Sequence, residues 1–489
     1  MKHRFPRRFP LCVLLLLSFA LGGCGLARPW ATPVPEVDTF ALSDNNGSES
    51  AAQTTQASSS NPSSTSVSTS SATQTTQGTT ATQVSATTKR STTRTAAART
   101  TTGRSTTAAN PTKPPATAAY VPVPPTTPMR AVWLSYFELP KTEGLDEAGF
   151  RALAESMMKN IADAGLNTVF LHVRAFSDAI YPSTLFPWSN YILGTGEAPA
   201  YDPLTVLLNA AHKYKLSCHA WFNPFRAAND PNPAAMAPTN PARVWLEDED
   251  KSNDSYVYRY SGGIYLNPAA QPAQRLILEG VREIVAKYPV DGIHIDDYFY
   301  PVTTADIDRV QYETYCEKAE NPLPLAQWRR DTVSAFVFSM NKAAKSKNPN
   351  MLFSVSPAGN VSANYNELYA DVALWASKPG YADLLIPQLY FGYEHDTLPF
   401  DKALAQWTAL TEQSRIPLVI GLAAYKVGKT DKYAGSGSNE WIAQEGVLPR
   451  QTKQVLTTPQ ASGFALFSYS SLFAKNEPRS LVTQIKAIK

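Results

Sequence analysis

The chain has 489 residues, four cysteines and a formal net charge of +3. That length accommodates one large domain with accessory segments. The small charge leaves no electrostatic footprint for nucleic acid, so none is expected as a partner. Four dispersed cysteines make neither a disulfide framework nor a compact metal motif.

The accessory segments are all at the front. Basic residues Lys2, Arg4, Arg7 and Arg8 precede an apolar run from Leu11 to Leu21, which ends in Leu21-Gly22-Gly23-Cys24. This reads as a lipoprotein signal peptide over 1–23, with Cys24 lipidated as the mature N-terminus and the protein held outside the cytoplasm on the cell membrane. The run is too short for a membrane span. Residues 24–128 are rich in Ser, Thr, Ala, Gln and Pro. Such a composition lacks the apolar density to offset chain ordering, so a disordered tether is expected. Between Ala51 and Pro128 there is no acidic residue, while Lys89, Arg90, Arg94, Arg99, Arg104 and Lys113 carry positive charge suited to anionic wall polymers or lipid headgroups.

From 129 to 489, strand-like runs alternate with helical ones, the pattern of parallel βαβ units. Strands are expected at 130–136, 167–174, 216–223, 292–297, 352–357, 383–390, 417–423 and 463–469. Helices are expected at 146–164, 203–214, 272–287, 325–346, 401–413 and 478–488. In the first of these, Phe150, Leu153, Met157, Ile161 and Ala164 recur at helical spacing before Gly165. Eight repeats indicate a (β/α)8 TIM barrel, and an open doubly wound sheet is the alternative. Connections from 224 to 271 and from 426 to 449 are long enough to form walls on the C-terminal face. Cys218 falls on a strand and Cys316 in a helix, both expected as reduced thiols.

Within the fourth strand, Ile293 and Ile295 alternate with His294 and Asp296. One face is apolar, and the other carries chemistry to the strand's C-terminal end. Polar residues gather at the other strand ends too: Glu138, His172, Arg174, Asp178, His219, Trp221, Asn223, Arg226, Gln388, Tyr390 and Glu394. Rings that stack on sugar faces, with amides and guanidinium groups that bind hydroxyls, describe a carbohydrate site. A glycosidase needs two carboxyl groups, one ionised and one protonated. Asp296 is expected as the ionised nucleophile or stabiliser, and the proton donor is left open among Asp297, Glu394 and Glu440. His172, His219 and His294 support a rival, a metal-dependent hydrolase or deacetylase. Ser356 lacks the preceding glycine of a nucleophile elbow.

Several separated motifs resemble the glycosyl-hydrolase-like family ten. They are Arg130-Ala131-Val132-Trp133, Trp221-Phe222-Asn223-Pro224-Phe225-Arg226, Tyr265-Leu266-Asn267-Pro268, the stretch 291–301 that includes Tyr298, and Pro387-Gln388-Leu389-Tyr390. The resemblance implies a TIM-barrel glycoside hydrolase, often exported or lipid-anchored, that cuts peptidoglycan glycan strands stripped of their peptides. It is also similar to amylase-type barrels, whose nucleophilic aspartate ends strand four. Those barrels carry their acid on strand five, where this chain has Ser356 and Asn360, so the acid does not transfer. Catalysis is expected from the four carboxyl groups Asp296, Asp297, Glu394 and Glu440. Substrate binding is expected from Trp133, His172, Arg174, His219, Trp221, Asn223, Arg226, His294, Tyr298, Gln388 and Tyr390. No cofactor is expected, and the partners are a polysaccharide and, through the lipid, the membrane. The alternative from another class is a non-catalytic glycan-binding scaffold at the cell wall.

Overall fold

The computed structural model describes residues 128–412, 416–444, 446–474 and 479–487. The signal segment, Cys24 and all but the last residue of the tether expected over 24–128 lie outside the described residues.

Eight parallel strands close into a barrel: β1 (Met129–Leu134), β2 (Thr168–Arg174), β3 (Ser217–Phe222), β7 (Gly292–Ile295), β8 (Leu352–Val355), β9 (Leu384–Leu385), β10 (Leu418–Leu422) and β11 (Ala461–Leu466). They follow chain order around the ring, and β1 pairs with β11 to close it. All eight coincide with the expected strands, so the closed barrel prevails over the open sheet. The sixth is cut short because Pro387 has no N–H to donate. Parallel pairing continues past it only as isolated bridges from Gln388 to Ala358 and Gly421.

Outside the ring lie α1 (Glu147–Asp163), α2 (Pro203–Lys213), α3 (Gln271–Lys287), α4 (Leu325–Ala344), α5 (Val361–Asn366), α6 (Val372–Ser377), α7 (Phe400–Thr411), α8 (Val447–Thr457) and α9 (Arg479–Ala487). Local chemistry explains their starts. Asp146 accepts from the Gly149 N–H ahead of α1, and Asp202 from the Leu204 and Thr205 N–H groups ahead of α2, where Pro203 sits at the first helical position. Gly165, at φ +76°, follows the end of α1 in the left-handed conformation expected there.

Strand alternation builds two separate apolar layers. Val132, Leu134, Val169, Leu171, Cys218, Ala220, Ile293 and Ile295 pack in the layer shared with the helices. Ala131, Trp133, Phe170, Trp221, Ile386, Val419 and Ala465 fill the barrel interior. Inside it, the His219 ring lies so close to Gly292 that a Cβ there would be 2.5 Å from Nδ1. The entry end of β7 is tied by Asp291, whose Oδ2 accepts from the Cys218 N–H at 2.8 Å and meets His212 Nε2 at 3.0 Å. Cys218 and Cys316 are free thiols.

Two regions carry structure beyond the elements bounded from sequence. The connection from 224 to 271 folds β4 (Arg226–Ala228), β5 (Val257–Tyr260) and β6 (Gly263–Leu266) into an antiparallel sheet of order β4-β6-β5. After β7 comes Arg309–Lys318, the helix expected around Cys316 but given no bounds, since it has no apolar stripe and no buried residue.

Candidate active site at the barrel mouth

The C-terminal ends of the strands surround a narrow cavity open to solvent. β1 and the turn after it supply Trp133, Ser135 and Tyr136; β2 supplies His172 and β3 Trp221. The segment following β7 supplies Asp296, Asp297 and Tyr298. Ser356, Gln388, Tyr390 and Phe467 follow β8, β9 and β11, and Arg226 arrives from β4. Asp296 and Asp297 are the carboxyl groups among these described lining residues.

Both aspartates are buried. Asp296 accepts the Trp221 indole N–H on Oδ2 at 3.0 Å, and Asp297 Oδ1 accepts from Gln388 Nε2 at 3.0 Å. Burial first, and the Asp297 charge second, push the Asp296 carboxyl well above the usual carboxylate range; Arg226 and the Trp221 hydrogen bond oppose this. That direction favours a proton on Asp296 and runs against the sequence expectation of Asp296 as the ionised member.

Several polar atoms of this cavity are buried with no hydrogen-bond partner: Asp296 Oδ1, Ser356 Oγ, and both ring nitrogens of His172. In folded proteins such atoms are rarely left unmatched, because each forfeits its water without replacement; here they also occur outside the cavity, as at Asn253 Oδ1 and Gln451 Oε1. The convergence of the Asp296, Ser356 and His172 atoms in one cavity indicates a surface built to be completed by a polar ligand.

The aromatic walls are held by hydrogen bonds and ring contacts. Trp133 donates its indole N–H to His294 Nε2 at 3.0 Å, and His294 Nδ1 meets Ser354 Oγ at 2.8 Å. The His172 ring stacks on Trp221 with centroids 3.6 Å apart. Arg226 lies between Phe176 and Tyr298, 4.5 and 4.3 Å from their ring centroids, and its Nη1 donates to the Tyr298 hydroxyl.

Several residues expected to touch substrate are not on the cavity wall. His294 holds Trp133 from beneath, and both its nitrogens are engaged. His219 lies deeper, edge-on to Phe170 at 5.3 Å, with Nε2 near Ser217 Oγ. Burial drives all three imidazoles toward the neutral form, His219 down to about 4. The geometry gives the metal-centre reading no support: His294 is engaged by Trp133 and Ser354, His219 lies beside Ser217, and among the described residues no group of three or more His, Cys, Asp or Glu side chains is arranged to hold an ion. Arg174 is consumed by the Asn223 and Pro224 carbonyls and Ser177, while Asn223 Oδ1 accepts from the Arg226 N–H. These two shape the turn that delivers Arg226.

The outlying glutamates have structural duties. Glu440 is buried away from the cavity and accepts from the Tyr393 and Glu394 N–H groups at 2.9 and 3.0 Å. Its Oε2 would be 1.9 Å from a Cβ at Gly392, so only glycine fits against it. Glu394 is exposed, with Gln444 on its carboxylate at 2.6 Å. Glu138 clamps two loops, accepting from the Ser135 N–H, the Ser468 hydroxyl and the Ser470 N–H. Asp178 caps the turn after β2 through the Phe176 N–H. Missed from sequence were Ser135, Tyr136, Ser356 as a wall residue, and Phe467. The inward parity of the β1, β8 and β11 ends could have flagged Ser135, Ser356 and Phe467, Ser356 lying two residues after the inward Ser354; nothing local marked Tyr136.

Comparison with known proteins bears on the family and the fold. The family description glycosyl hydrolase-like 10 matches residues 128–436. The glycosyl hydrolase DigH of Escherichia coli K12 is 31% identical over 406 residues, spanning 76% of this chain and 88% of DigH. The glycosyl hydrolase YngK of Bacillus subtilis 168 is 31% identical over 339 residues, spanning 65% of this chain and 64% of YngK. Among solved structures, the PgaB (BpsB) glycoside hydrolase domain from Bordetella bronchiseptica shares the fold, with a TM-score of 0.50 at 14% identity, over 75% of this chain and all of that domain.

Proposed function

The chain belongs to the glycosyl hydrolase-like 10 family, and on that premise we propose that it hydrolyses glycosidic bonds in cell-wall glycan, with peptide-free peptidoglycan strands as the substrate. The observation that carries the reading is the cavity itself. Asp296, protonated, stands beside Asp297, among aromatic faces and buried polar atoms that lack partners. Sugar rings stack on the faces of Trp133, Trp221 and Tyr136, and hydroxyls satisfy His172 and Ser356.

In this reading Asp296 is the general acid. Its Oδ2 already accepts an N–H, so its proton is carried on Oδ1, the oxygen without a partner. Protonating the glycosidic oxygen removes the need to expel an alkoxide, an effect that contributes on the order of 10²–10⁴ in rate. Asp297, supported by Gln388, is the ionised member that offsets positive charge developing at the anomeric carbon. The N-terminal features complete the proposal: a signal peptide, lipidation at Cys24 and a long tether place the barrel outside the membrane within reach of the wall.

The test is incubation of the full chain with peptide-free peptidoglycan strands, with products followed by mass spectrometry and Asp296→Asn run alongside. Shortened strands from the wild type alone are expected. Intact strands from both, despite measurable binding, would replace the hydrolase with a glycan-binding scaffold.

A further inference from the structure

A hydrolase that relies on two carboxyl groups sets them on either side of the scissile bond. They are about 5–5.5 Å apart when one is the nucleophile and about 6.5–9.5 Å apart when one activates water. Asp296 and Asp297 are consecutive, with Cα atoms about 3.8 Å apart, and both leave the barrel at the end of β7. The strands across the ring are β1 and β11. They bring Trp133, Ser135, Tyr136 and Phe467 to the cavity, and none of these can attack a sugar carbon as a carboxylate would. An acid and its charged neighbour share one wall, and the described wall opposite has no carboxylate to serve as nucleophile.

We propose that the nucleophile is the substrate's own 2-acetamido group, so that the enzyme is restricted to bonds from C1 of an N-acetylhexosamine, with Asp297 holding the acetamido N–H while Asp296 protonates the leaving oxygen. The inference deepens the glycosidase reading and rests on it.

The cavity has the parts this chemistry needs. The indole N–H groups of Trp133 and Trp221 are committed to His294 and Asp296, so both rings offer only carbon to a ligand. Phe467 lies 6.1 Å from Trp133 and 6.0 Å from Tyr390, centroid to centroid, which makes a continuous apolar pocket for the acetamido methyl. The Tyr390 ring is buried in the same wall, and its main-chain carbonyl is held by Lys426 Nζ at 2.7 Å. Burial and the two nearby carboxyl groups keep the Tyr390 phenol protonated, so it is a donor for the acetamido carbonyl oxygen.

The reaction balances without any further component. The acetamido oxygen bonds to C1 as the C1–O glycosidic bond breaks. The departing electron pair stays on the leaving oxygen, which takes the proton of Asp296. The acetamido N–H stays hydrogen-bonded to the Asp297 carboxylate, which offsets the positive charge of the cyclised intermediate. Water then attacks C1 from the vacated side and gives its proton to the Asp296 carboxylate, and the bond from C1 to the acetamido oxygen breaks, its electron pair returning to that oxygen to restore the acetamide. One water is consumed and the configuration at C1 is retained.

The experiment uses the full chain with four preparations of the same peptide-free strands: native, chemically de-N-acetylated, re-N-acetylated and N-trifluoroacetylated. Cleavage is followed by mass spectrometry and the first-formed anomer by NMR. Native and re-acetylated strands are expected to be cut with retention. De-acetylated strands should be cut at least about 100-fold more slowly, because a tethered nucleophile is lost. Trifluoroacetylation restores the bulk of the amide but draws electron density from its oxygen, so those strands should remain slow. A thiazoline analogue of the cyclised N-acetylglucosamine intermediate should inhibit. Rapid cutting of de-acetylated or trifluoroacetylated strands, or inversion at C1, would overturn the assisted mechanism and leave the glycosidase intact. Failure to cut any preparation would remove both.

Discussion

Replacing Trp221 by Phe removes the indole N–H that donates to Asp296 Oδ2 at 3.0 Å while keeping an aromatic ring in place. A hydrogen bond to an ionised acceptor contributes about 1.5–3 kcal/mol, and one to a neutral acceptor about 0.5–1.5 kcal/mol. Its loss therefore disfavours the ionised form of Asp296 by about 1 kcal/mol more than the protonated form. At about 1.4 kcal/mol per unit, that raises the carboxyl by roughly 0.7–1 pH unit above its already elevated position. If Asp296 is the general acid, activity falls as pH rises through its pKa, so the alkaline limb of the profile should move up by that amount. The assay is the initial rate of strand shortening across pH, with circular dichroism melts to confirm folding. Overall rate should also fall, since the indole lines the cavity and stacks on His172. An alkaline limb that stays in place or moves down would refute the assignment of Asp296 as the proton donor.

Asp296→Asn should abolish turnover yet raise the melting temperature at neutral pH. The native carboxyl pKa is raised, so the wild type is fully stabilised only below the ordinary carboxylate range and loses stability as pH rises through the raised value. The variant's advantage in thermal melts should therefore grow from pH 4 to pH 7, and an advantage independent of pH would contradict the burial argument. Glu440→Gln should keep strand cleavage while losing about 1–3 kcal/mol in urea unfolding, because the carboxylate caps two backbone N–H groups rather than facing the cavity. Glu394→Gln, on an exposed side chain, should change neither measurement. Arg329→Leu strands Asp308 in the interior, where the pair is fully buried at 2.6 Å and Tyr300 also binds the carboxylate; denaturant melts should show a loss of about 3–5 kcal/mol.

The architecture was legible because its signal is local. Each barrel strand alternates apolar residues toward the helices with residues of mixed character toward the axis, and that period of two is visible in Ile293, His294, Ile295 and Asp296 before any coordinates. Asp202 followed by Pro203, and Gly165 closing α1, mark boundaries for the same reason. The helix Arg309–Lys318 has no apolar stripe, so the reading put Cys316 in a helix without giving its bounds.

The site was legible only in outline. Parity along a strand placed His294 and Asp296 on the inward face, and both are there, but parity says nothing of depth. His294 sits under Trp133 as a support, while Asp296 reaches the cavity one turn of the pleat later. The glutamates were candidates because loops can cross a cleft; the fold instead turned Glu440 onto backbone amides and Glu394 to solvent.

Sequence alone determined the eight strand–helix repeats and the presence of carboxyl groups at the end of the fourth strand, because each depends on residues within one turn or one strand of each other; closure of the ring rests on pairing of β1 with β11, at opposite ends of the domain. Tertiary structure alone decided which carboxyl holds a proton, which histidines face the cavity and which merely prop its walls. Those properties depend on burial and on partners such as Trp133 and His294, 161 positions apart in the chain.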